Sequence, residues 1–112
     1  MNRDRAVTSL AALAQNTRLE AFRLLVQAGP AGLAAGELAG RLGISPPALS
    51  FHLRGLAQAG LVRARQQGRF VYYSAAYDAM QSLVDFLTEN CCGGACAPAR
   101  APSRRPAARR TA

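Results

Sequence analysis

The stretch Gly43 to Val62, GISPPALSFHLRGLAQAGLV, constrains the fold most tightly. Gly43 suits the left-handed backbone that ends a helix. Ser45 stands where an N-cap belongs. Pro46 follows at the first helical position, where its missing N–H would go unpaired in any case. Leu49, Leu53 and Leu56 recur at helical spacing and define one apolar face. Ala48, Ser50, Phe51, His52 and Arg54 lie between them. This helix is held down by leucines and offers small, polar, aromatic and basic side chains elsewhere. Taken alone, it also fits an ordinary amphipathic surface helix.

The segments around it favour a nucleic-acid reader. Ala35 to Leu42 reads as a short helix with Leu38 and Leu42 inward and Glu37 in its first turn, where the helix dipole favours an acid. Two short helices joined by the Gly43-Ile44-Ser45 turn form a helix-turn-helix pattern. Beyond the terminating Gly60, two strand-like runs, Leu61 to Gln66 and Arg69 to Ser74, flank a Gln67-Gly68 turn. Arg63 and Arg65 share one side. Arg65, Gln67 and Arg69 at the tip suit phosphate or minor-groove contact.

Helices bracket this unit. The first is expected from Arg3 to Ala14, with Val7, Leu10, Ala11 and Ala14 on a face too weak for a core and suited to a partner. A Thr17/Glu20 capping box predicts a second helix starting near Arg18. Leu19, Phe22, Leu25 and Val26 form its core face, and Gly29-Pro30 ends it. A last helix from Tyr77 to Glu89 carries Met80, Leu83, Val84 and Leu87 as a stripe. Val7, Leu10, Met80, Leu83, Val84 and Leu87 are therefore the expected interface of a two-fold homodimer. Such a dimer sets two reading helices one DNA turn apart, roughly 34 Å. The fold class is mainly α with a small β-hairpin, a winged helix-turn-helix.

The chain has 112 residues and a formal net charge of +8, all of its basic residues being Arg. Residues 1–90 hold nine arginines against six acids, whereas 91–112 hold five arginines and no acid. A basic balance points to nucleic acid or an anionic surface. From residue 93 the chain is Ala/Pro/Arg/Gly-rich and cannot bury a core, so 1–92 is expected to be the folded domain and 93–112 a flexible tail carrying Cys96. The tail either adds sequence-independent DNA affinity or only aids solubility. No apolar run approaches the roughly 18 residues of a membrane span. No membrane partner and a cytoplasmic location are expected. No nucleophile with a base, carboxylate pair or phosphate-cradling glycine loop marks an enzyme, and no organic cofactor is expected.

Cys91, Cys92 and Cys96 are the chain's three cysteines. Zinc usually takes four Cys or His ligands, and the sole His, His52, lies in the reading helix. Three thiolates better suit a soft ion such as As(III) or Sb(III). Methylarsenite needs only two. Adjacent cysteines on a regular helix diverge by about 100°, so chelation requires the helix to fray there and Gly93-Gly94 to let Cys96 return. A disulfide of Cys96 with Cys91 or Cys92 is the competing redox reading.

In NTRLEAFRLL, SPPALSFHLRGL, GLVRARQQGRFVYYS and FLTENCC the chain resembles the ArsR/SmtB winged-helix repressors over about residues 5–92. SFHL and the terminal Cys pair most resemble the arsenic-responsive branch. The resemblance implies a homodimer that represses an operator until inducer binds. AAGELAGRLG lacks the Cys-x-Cys pair of one subgroup, and YDAMQSLVDFLTEN lacks the His ligands of zinc and nickel sensors. The expected metal ligands are thus Cys91, Cys92 and Cys96, and the expected DNA contacts are Ser45, Ala48, Ser50, Phe51, His52, Arg54, Arg65, Gln67 and Arg69. His52 fits a base contact or a buried structural position equally well. An arsenite-responsive repressor is the leading expectation. A methylarsenite-selective repressor, a thiol-redox repressor and a non-sensing DNA-architectural protein are its rivals.

Overall fold

The structure is a computed structural model and describes residues 1–94; of the expected tail, residues 95–112, Cys96 among them, lie outside the described residues. Five helices and three short strands follow in the order α1 (Arg3–Leu13), α2 (Asn16–Ala28), β1 (Leu33–Ala34), α3 (Ala35–Leu42), α4 (Pro46–Gln58), β2 (Val62–Gln67), β3 (Phe70–Ala75) and α5 (Tyr77–Thr88). This is the expected winged helix-turn-helix.

The core is built of leucines from every layer. Leu25, Leu38, Leu49, Leu53, Leu56 and Leu61 are all fully buried. Each contributes about 1.5–3 kcal/mol relative to exposure. Three of them lie on α4, so the helix that carries the reading side chains is fixed by its opposite face. Its ends match the sequence reading. Gly43 is left-handed at φ 68°, and the Ile44 N–H donates to the Ala39 carbonyl at 3.2 Å, closing a Schellman-type end on α3. The Ser45 hydroxyl accepts from the Ala48 N–H at 3.2 Å.

The start of α2 differs from expectation. Its cap is Gln15, whose side-chain oxygen accepts from the Arg18 N–H at 2.9 Å, and the helix begins at Asn16. The Gln15 amide reaches the third helical N–H from an extended backbone, so Thr17 falls inside the first turn and cannot cap. The core face also shifts: Ala21, Phe22 and Leu25 are buried, while Leu19 is exposed and Val26 half-buried.

The strand β1 was not expected. It pairs antiparallel with β3, Leu33 opposite Tyr73 and Ala34 opposite Tyr72, giving the order β1-β3-β2. The aromatic strand β3 is therefore central. Gly32, at φ 75°, makes the approach possible: a Cβ there would lie 2.1 Å from the Tyr73 carbonyl oxygen. The hairpin is also offset by one residue. Gln67 pairs with Phe70, so the turn is Gly68-Arg69 and not Gln67-Gly68. Gly68 takes φ 63° at the first central position, as a two-residue hairpin turn demands.

Two contacts fix α5 to the rest. The Tyr77 hydroxyl donates to the Val26 carbonyl at 3.1 Å and lies 3.4 Å from that of Leu25, which satisfies the end of α2. Burial pushes the Tyr77 phenol up from its ordinary value, partly opposed by a backbone contact at Gly29. Arg63 pairs with Asp78 at 2.7 Å. Among the described residues no helix is long and apolar enough to cross a membrane.

Candidate nucleic-acid interface and thiol cluster

The leucine face of α4 points inward, so its opposite face is open. Ser50, Phe51 and Arg54 are exposed there, and Ala48 is half-buried beside the capped first turn. Phe51 is 58% exposed. An apolar ring of that size in water on a reading helix is available to contact a thymine methyl or a sugar. Ser45 presents its hydroxyl at the same end, with its oxygen already engaged in the cap. His52 stands apart. Its ring meets Phe51 edge-on at 5.5 Å, and its Nδ1 is buried with no hydrogen-bond partner among the described residues.

The wing carries its three expected residues on an exposed ribbon. Arg69 sits in the turn itself. Arg65 lies along the wing, with its guanidinium 5.1 Å from the Tyr72 ring centre and reaching towards the Ala31 carbonyl at 3.4 Å and the Gln67 side-chain oxygen at 3.5 Å. Arg63 faces α5, and its hydrogen bond holds the Asp78 carboxyl below the usual value.

One arginine of this surface was missed. Arg18 leaves the first turn of α2 and crosses to α4, where its Cζ is 5.8 Å from the centre of the Phe51 ring. A Cβ at Gly55 would stand 3.2 Å from that Cζ. Glycine inside a helix costs about 0.5–1 kcal/mol relative to alanine, and here it leaves room for the guanidinium. The signal in sequence was the bare glycine in α4; nothing local to Arg18 announced it.

The expected dimer residues divide. Val7, Leu10, Val84 and Leu87 are exposed, Met80 is half-buried, and Leu83 is already covered by its own chain. Met80, Leu83, Val84 and Leu87 line an apolar groove of about 460 Å³ with Leu19 and Phe22. The misplaced core residue Leu19 therefore belongs to this unpartnered surface.

Past α5 the chain reverses. Asn90 and Cys92 both adopt left-handed backbone, at φ 58° and 54°, within a short turn over Cys91–Gly94. The Cys91 and Cys92 sulfurs stand 3.7 Å apart. On a continued helix the two side chains would diverge by about 100°; the left-handed backbone brings their sulfurs together instead. Cys91 is a free thiol, and Cys92 is disulfide-bonded. Among the described residues no three His, Cys, Asp or Glu side chains converge on one point. The expected third ligand, Cys96, is outside them.

Comparison with known proteins agrees with this geometry. Residues 13–65 match a family described as a helix-turn-helix domain. The transcriptional activator HlyU of Vibrio cholerae is 33% identical over 91 residues, 81% of this chain and 82% of HlyU. The transcriptional repressor SdpR of Bacillus subtilis is 33% identical over 55 residues, 49% of this chain and 61% of SdpR. Among solved structures, an ArsR-like regulator from Rhodococcus superposes with a TM-score of 0.70 at 28% identity, covering 90% of this chain and 96% of that one. A possible transcriptional regulator for arsenical resistance gives 0.63 at 34% identity, covering 70% and 79%. The homodimeric winged helix-turn-helix domain of Mb0332 from Mycobacterium bovis gives 0.63 at 29% identity, covering 81% and 84%. These relatives are transcription regulators, and none is described as an enzyme. The exposed reading helix, the basic wing and the shared fold lead to one assignment: the chain belongs to the ArsR/SmtB family of winged helix-turn-helix, DNA-binding transcription regulators.

Proposed function

We propose that the chain is a homodimeric repressor that leaves its operator when arsenite binds the thiols beyond α5. The 3.7 Å approach of the Cys91 and Cys92 sulfurs carries this reading. It requires Cys92 in the thiol form. Each thiol then replaces a hydroxyl of arsenous acid, its sulfur bonding to arsenic and its proton leaving with the hydroxide as water, with Cys96 as the third ligand. Antimonite would bind alike, and methylarsenite would need only two of the sulfurs. Thiolates select soft ions, and a structural relative is described as a possible regulator for arsenical resistance. Relatives of both regulatory signs occur. Repression is chosen because an inducer bound at the end of α5 would alter the helix that sets the spacing of the two reading helices. The ion shifts that equilibrium only by its different affinity for the two dimer forms.

A second reading has its own support. The chain's three cysteines lie within six residues, so a disulfide of Cys96 with Cys91 or Cys92 could form and act as a thiol-redox switch. There, an oxidant such as peroxide takes two electrons and two protons from a thiol pair, and reductant restores them.

A gel-shift titration of the reduced protein separates the readings. Arsenite should release DNA from the wild type and leave the Cys91→Ser/Cys92→Ser complex intact; release from that variant would refute the site. Release by peroxide but not by arsenite would establish the redox reading. Failure of Cys96→Ser towards arsenite alone, with methylarsenite still active, would define the three-thiol site.

A further inference from the structure

We infer that Arg18 and Arg54 form a seat for a backbone phosphate of duplex DNA, on the flank of α4 beyond the base-reading residues; this rests on the DNA-binding reading. Arg18, Phe51, Arg54, Gly55 and Gln58 line a cleft open to solvent between the first turn of α2 and the exposed face of α4. Two features hold the Arg18 guanidinium there. The missing side chain at Gly55 gives it a floor, with Cζ and Nε 3.2 and 3.3 Å from where a Cβ would be. The Phe51 ring covers it at 5.8 Å.

The charge is held without being neutralised. The Arg18 Nε is buried and has no hydrogen-bond partner among the described residues. The ion pairs of the described residues join Arg41 to Glu37 and Arg63 to Asp78, so no carboxylate of that set engages Arg18 or Arg54. A guanidinium fixed by packing, with its terminal nitrogens unclaimed among the described residues, suits bidentate contact with a phosphate. Arg54 brings a second guanidinium from the same helix face, and Gln58 adds an amide donor. Phe51 adjoins Ser50 in the reading set, so DNA that meets Ser50 brings its sugar-phosphate backbone close to this cleft. A phosphate bound there fixes the register of the helix without reading sequence.

The test uses the full-length reduced protein and a fluorescein-labelled, mixed-sequence DNA duplex of about 30 base pairs, because a phosphate contact does not depend on an operator. Binding is followed by anisotropy between about 50 and 200 mM salt, where each lost phosphate contact makes the log–log slope shallower by about 0.9. Arg18→Gln and Arg54→Gln should each weaken binding several-fold on this duplex. The double variant should lose about 0.9 of slope per protomer, and not twice that, because one phosphate is shared. Arg18→Lys, which keeps the charge, should keep most of the slope. Arg54 is exposed, so its variant reports even if Arg18→Gln proves poorly folded by circular dichroism. A folded Arg18→Gln with wild-type affinity and slope overturns the inference. So does a wild-type Arg54→Gln, or a double variant that loses two phosphates' worth of slope. A wild-type chain that binds no duplex overturns this inference and the DNA-binding reading together, whereas loss confined to the arginine variants leaves the latter standing.

Discussion

Arg63 of β2 and Asp78 of α5 meet at 2.7 Å, so the base of the wing is tied by an ion pair to the first turn of the helix that leads to the thiols. The Asp78 carboxyl titrates below its ordinary 3.8 because of that hydrogen bond. A lowered carboxyl stabilises the fold fully above the unfolded value, and the gain is lost as pH falls through the folded value. Both side chains are exposed, at 62% and 74%, and exposed pairs contribute little. Asp78→Asn should therefore leave the melting temperature at neutral pH nearly unchanged. Below about pH 4 its melting curve should fall less steeply with acid than the wild type's. Thermal melts across that range check this, and an identical acid limb would contradict it.

Gly32→Ala should cost at least about 1 kcal/mol, because alanine is strained at positive φ and its Cβ would collide with the Tyr73 carbonyl. The damage should concentrate at the β1–β3 edge. Hydrogen exchange of the Leu33, Ala34, Tyr72 and Tyr73 amides, with urea denaturation for the total, measures both.

Tyr77→Phe removes a donor to the Val26 carbonyl and should cost about 0.5–1.5 kcal/mol in urea denaturation. The pH sign is opposite to that of Asp78. A phenol raised above 10.0 contributes stability that is complete below that value and lost as pH rises through the folded one. The variant should lack that alkaline component.

Leu87→Glu places a charge on the exposed end of the apolar groove. The protomer should melt near the wild-type temperature at low concentration, while light scattering shows a shift from dimer to monomer. A stable dimer in this variant would remove Leu87 from the interface.

The helices were legible because leucines at helical spacing have no other way to be buried together, and α4 most of all because Ser45, Pro46 and Gly43 mark its limits. The wing was legible from its alternation and its turn. Strand β1 was not: two residues carry no periodicity, and what defines them is Tyr73, far along the chain. Thr17 and Gln15 competed to cap the same helix, a contest settled by backbone geometry and not by residue type. Leu19 read as core because periodicity identifies an apolar face without saying which neighbour covers it. Of the candidate site, the thiol clustering was plain. The closeness of Cys91 and Cys92, however, comes from left-handed backbone at Asn90 and Cys92, which side-chain patterns do not encode. Arg18 was illegible for a similar reason, since its place depends on a side chain missing from another helix.

That missing side chain limits how far the protein can be engineered by parts. A reading helix grafted from a relative with a larger residue at position 55 would meet the Arg18 guanidinium at 3.2 Å and displace it. Transplanting Gly43 to Val62 into another scaffold would leave behind the arginine that covers its flank. The portable unit is thus not a recognition helix but that helix together with the start of α2, and a hybrid that respects only the helix boundaries would separate the two.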